Sequence, residues 1–120
     1  DDHPVKPVVE RALRNRGWTP QAWQTDIYRD RVPQLATAEA CAGVMDGTGL
    51  DVTVTNVRVG FPDLDPRQLV AWRLGMAQHA PFVATLAANE REALVCDALD
   101  DLGDQAPSLV RSIMIIAIRC

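Results

Sequence analysis

Aromatic residues are scarce in this sequence, with three Trp, two Phe and one Tyr among 120 residues. An apolar core therefore has to be assembled chiefly from Val, Leu, Ile and Ala. Basic charge is short as well: 12 Lys and Arg stand against 16 Asp and Glu, a formal net charge of −4. With no run of bases to neutralise a row of phosphates, a nucleic-acid partner is disfavoured. Cys41, Cys96 and Cys120 are odd in number and show no CxxC spacing, which argues against a disulfide framework or a zinc site and favours a reducing cytoplasm. The longest apolar run, Ile113 to Ile118, is far too short to cross a membrane, and the N-terminus has no signal-peptide pattern. The chain does not open on Met, so Asp1 is expected not to be where the gene begins.

What remains is an ordinary balance of 48% apolar and 23% charged residues, the composition of one globular domain. Val5, Val8, Val9, Ala12 and Leu13 recur at helical spacing, and Gly17 supplies a stop. Thr19-Pro20 resembles a cap and first helical residue, with Trp23, Ile27 and Tyr28 supporting a short turn that Pro33 ends. Thr37 can cap a second helix through Ala40, Cys41, Val44 and Met45. From Leu50 to Val59 the period changes to two, which predicts a strand with a phase slip at Asn56-Val57. Asp65-Pro66 restarts a helix through Met76, interrupted by Pro81, and Asn89 can cap another. Leu109–Ile118 is apolar on both sides, the pattern of a strand with layers above and below it. The expected organisation is one partial domain over 1–120: helical cap-like segments at 1–35 and 62–88, a helix–strand unit at 37–59, and a helix with the final strand at 89–120. Two strands alone make a marginal sheet, so Leu109–Ile118 is expected to pair with strands from a missing N-terminal part, a partner or a second copy.

The chemistry-bearing motifs are few. No glycine-rich phosphate loop, HExxH, GxSxG or Ser-His-Asp spacing is present, so no catalytic, cofactor-binding or metal-ligating residue is assigned. His3 reads as solvated at a frayed terminus, and Cys41 and Cys96 as small apolar fillers on helix faces. The acids from Glu90 to Asp104 fall around a helix and read as a solvated face rather than a cation loop. The most unusual stretch runs from Leu69 to Phe82. Trp72, Met76 and His79 are expected to share a helix face beside Arg73. One reading makes Trp72 and Met76 core and gives Arg73 an ion pair. The other is a cap helix lining a substrate pocket.

The segments Phe61-Pro62-Asp63-Leu64-Asp65-Pro66 and Leu69–Phe82, with the ending Leu109–Ile118, resemble the C-terminal half of actinobacterial class I, type 11-like, S-adenosylmethionine-dependent methyltransferases. The helix from Thr37 with the strand 52–59 is similar to that family's penultimate helix–strand unit. The resemblance implies an α/β fold: the C-terminal part of a doubly wound, Rossmann-like sheet whose last strand is antiparallel, incomplete alone. Leu109–Ile118 would then lie between the strand 52–59 and one supplied by a cofactor-binding N-terminal half. It implies S-adenosylmethionine as cofactor of the intact enzyme, not of this chain alone, because the family's glycine-rich turn and ribose-binding acid have no counterpart here. It also implies a small-molecule acceptor under a cap shaped by Trp23, Tyr28, Trp72, Arg73, Met76, His79 and Phe82, with His79 a candidate base. The alternative is a non-catalytic α+β module that closes its sheet edge by self-association through 109–118 or by binding another protein.

Overall fold

A computed structural model describes residues 3–119; Cys120 lies outside them. Within these residues the chain is mixed α/β, with six α-helices and a two-stranded antiparallel sheet. The order is α1 (Val5–Arg14), α2 (Ala22–Asp30), a 3-10 turn (Val32–Leu35), α3 (Ala38–Val44), β1 (Asp51–Phe61), α4 (Pro66–Leu74), α5 (Ala80–Thr85), α6 (Ala88–Leu102) and β2 (Leu109–Arg119).

Helix starts follow the need to satisfy amide donors that have no partner within the helix. The Asp65 carboxylate accepts from the Gln68 amide at 2.8 Å, and the Gln68 side chain accepts from the Asp65 amide at 2.9 Å. Pro66 follows at the first helical position, where its missing N–H costs nothing. Thr37 caps α3 by accepting from the Ala40 amide. Two expected starts are displaced. α2 begins after Gln21 rather than at Thr19-Pro20, and α6 begins after Ala87, whose amide donates to the Glu90 carboxylate, leaving Asn89 inside the helix. The helices ahead of Pro33 and Pro81 do end, at Asp30 and Leu74, and each proline sits in the first turn of the next element, where a backbone donor is not needed.

The chain divides into two compact units. The first comprises the residues up to Pro20 together with Gly60–Val110. Its core joins Val5, Val8, Val9, Ala12 and Leu13 of α1 to Leu69, Val70 and Leu74 of α4 and Leu94 and Ala98 of α6, with Trp18 and Leu109. Gly17, at φ +94°, makes the left-handed turn that brings Trp18 back onto α1. The exposed acids of α6 are partly partnered rather than merely solvated: Asp97 meets Arg16, Asp101 meets Arg11 and Glu92 meets Arg67. His3 is not frayed. It is buried, accepts from the Val5 amide at Nδ1, and binds the Pro107 carbonyl through Nε2 at 2.7 Å.

The second unit comprises 21–59 and 111–120. Among its described residues only Gln24 and Cys41 are buried. The Cys41 thiol lies 3.2 Å from the Met114 sulfur and 3.6 Å from the Leu35 carbonyl. Burial along β1 alternates at Val52 and Val54, lapses, and resumes out of phase at Val59. Along β2, Ile113, Ile115, Ile116 and Ile118 are 46–53% exposed although they occupy both faces of the strand. Among the described residues no helix is long and apolar enough to cross a membrane.

Candidate functional site

The expected shared face of Trp72, Met76 and His79 does not form, because α4 ends at Leu74 and Gly75 caps it. Met76 and His79 lie in the turn beyond, which folds back on the end of the helix. There the Arg73 guanidinium donates to the Met76 sulfur at 3.2 Å, and His79 Nδ1 lies 3.0 Å from the Arg73 carbonyl. Since a carbonyl only accepts, Nδ1 carries the proton and Nε2 bears the lone pair. The N-terminal segment also holds this region: Glu10 of α1 pairs with Arg73 at 3.4 Å, and the indole of Trp18, beyond α1, donates to the Gln78 carbonyl at 3.1 Å. The Trp18 and His79 rings meet edge to face at 4.9 Å, and Arg14 stands over Trp18 at 5.6 Å.

His79 is wholly buried and Arg73 nearly so. Burial lowers His79 below its usual 6.5, with the positive charge of Arg73 acting the same way and the bond to the Arg73 carbonyl opposing them. The ring is therefore neutral at neutral pH. Among the described residues Nε2 has no hydrogen-bond partner, and at zero exposure it meets no solvent. Trp72 and Phe82 pack half-buried against the same core, and Met76 is half-buried.

Trp23 and Tyr28 belong to α2 in the other unit, where they are 46% and 49% exposed, with Ile27 similarly open. Gln24 beside them is buried, and its amide oxygen has no partner among the described residues. The sequence points to neither Trp18 and Glu10, which surround the Arg73 cluster, nor Gln24. A signal for Trp18 does exist in the glycine immediately before it, which turns the chain onto α1. Of the cysteines, Cys41 is buried as expected, but Cys96 is exposed on α6. Among the described residues no group of three His, Cys, Asp or Glu could hold a metal ion.

β1 leads through Pro62-Asp63 rather than a glycine-rich turn into α4, and the buried polar cluster is closed by Trp18 and Glu10. Comparison with known proteins matched no family model, no curated protein and no solved structure.

Proposed function

We propose that this chain is the C-terminal portion of an S-adenosylmethionine-dependent methyltransferase, contributing a substrate cap and the edge of a doubly wound sheet. The observation that carries the reading is the contrast between the two units. The first buries twelve apolar residues in a continuous core, whereas the second leaves Val57, Ile113, Ile115, Ile116 and Ile118 open on its two strands. A strand apolar on both faces is suited to the interior of a sheet with helices on each side, and the antiparallel pairing of β2 with β1 agrees with a final strand of that family. The open aromatic surface of α2, with Trp23, Ile27 and Tyr28, is of the kind that lines an apolar acceptor site. In this reading the cofactor is held by strands outside this chain.

The test is the complete gene product. Its reading frame is expected to encode a strand–GxGxxG–helix segment ahead of Asp1, and the whole protein to bind S-adenosylmethionine and release S-adenosylhomocysteine. A start codon next to Asp1 with no such neighbour overturns the reading and favours self-association through 109–118, which sedimentation would show as a dimer. Micromolar binding of S-adenosylmethionine by the isolated chain would mean that the cofactor site has been misplaced.

A further inference from the structure

We propose that His79 is an acid-operated latch on the turn joining α4 to α5. The inference rests on the first unit alone and is independent of the methyl-transfer reading. His79 is fully buried, and its Nδ1–H donates to the Arg73 carbonyl at 3.0 Å. A second proton has to go to Nε2, which has no acceptor among the described residues. Among the described residues the charged groups that face the ring are Arg73 from α4 and Glu10 from α1. Arg14 stands behind Trp18, while 75–78 and α5 contribute no charged residue. The one carboxylate in this set, Glu10, already meets Arg73 at 3.4 Å. A charged imidazolium would thus sit beside a buried guanidinium with an unsatisfied donor, an arrangement that is relieved when the turn opens to water.

The backbone of the same residue is where α5 is fastened. The His79 amide donates to the Met76 carbonyl at 2.8 Å, the Ala80 amide to the same carbonyl at 2.9 Å, and the His79 carbonyl accepts from Val83 at 3.1 Å. α5 has no buried residue of its own and touches the core only through the partly buried Phe82 and Val83. The core shared by α1, α4 and α6 contains Val9, Leu13, Leu69, Val70 and Leu94, none of which belongs to the turn or to α5. The opening we propose is of 75–86, which parts Gln78 from Trp18 and lifts Phe82, Val83 and Leu86 off the edge of that core. Burial lowers the His79 pKa from its usual 6.5 in the closed form. The open form takes up the proton first, so the closed form is fully favoured above about pH 6.5 and loses ground as pH falls from there through the closed-state pKa.

Hydrogen exchange by mass spectrometry on the whole chain, corrected for the intrinsic pH dependence of exchange, tests this from about pH 7.5 to about pH 5. Protection of the amides of His79, Ala80 and Val83 is expected to fall by up to about tenfold per pH unit below about 6.5, with α1, α4 and α6 unchanged. The variant His79→Gln can still donate to the Arg73 carbonyl but takes no proton, and its 76–86 segment is expected to show no such pH dependence. Protection that stays flat in the native chain, or that falls equally in all helices, overturns the proposal. So does an unchanged acid response in a folded His79→Gln. If that variant does not fold, the native profile decides by itself.

Discussion

Replacing Ile115 by Asp in the isolated chain separates an open strand from a covered one. Ile115 is 53% exposed, so less than half of its side chain is withdrawn from water. Full burial of an Ile side chain contributes about 1.5–3 kcal/mol, and the part realised here is about 1 kcal/mol. The weak strand preference of Asp adds about 1 kcal/mol, for a total loss of about 2 kcal/mol. Leu94→Ala gives the contrast, because Leu94 is fully buried where α6 meets α1 and α4. It should cost about 3–5 kcal/mol. Urea denaturation followed by circular dichroism, at concentrations where sedimentation shows a monomer, measures both. The expected order is Leu94→Ala well below Ile115→Asp, which stays folded. Within a larger assembly that covers β2, the same Asp would be a buried charge and should abolish association. If Ile115→Asp destabilises the dilute monomer as much as Leu94→Ala does, the faces of β2 are not open and the reasoning fails.

Three further outcomes are expected. Asp65→Ala removes the acceptor of the capping box at α4 and should lower stability by about 1 kcal/mol, read from the urea midpoint at constant slope. Gly103 ends α6 at φ +73°, ψ 177°, with open space where a Cβ would stand, so Gly103→Ala should cost about 1–3 kcal/mol through the backbone alone; an unchanged melting temperature would contradict that. Alkylation of the native chain followed by peptide mapping should label Cys96 well before Cys41, since Cys96 is exposed and Cys41 buried, and equal labelling would show that the Cys41–Met114 contact opens readily.

Local chemistry was legible where one short signal decides one short element. The stripe from Val5 to Leu13 became the buried face of α1, Thr37 and Asp65 became caps, and the alternation after Leu50 became β1 with its shift of phase. Prolines were harder to place. The same missing N–H that ends one helix is harmless in the first turn of the next, and the sequence around Pro81 does not say which applies. The cluster at Arg73 was visible as an unusual group of residues but not as a geometry. Its partners Trp18 and Glu10 come from more than fifty residues upstream, a separation that no local spacing encodes. His3 failed for the same reason, since its burial depends on the distant Pro107 carbonyl.

β1 and β2 are adjacent in the sheet, yet the chain between them, 62–108, carries α4 and α6, which with α1 from upstream of β1 build the core of the first unit. Leu109, the first residue of β2, is itself part of that core. If the helical core forms first, pairing of the strands begins with one end of β2 already tethered and with the long connection already compact. This replaces the closure entropy of a long flexible loop with that of a short one. Folding is expected in two phases: a fast helical collapse that fixes Leu109, then a slower zipping of β2 along β1 outward from that anchor. During the interval the isoleucine-rich strand is unpaired, which makes the refolding yield, more than the final stability, the quantity most sensitive to protein concentration.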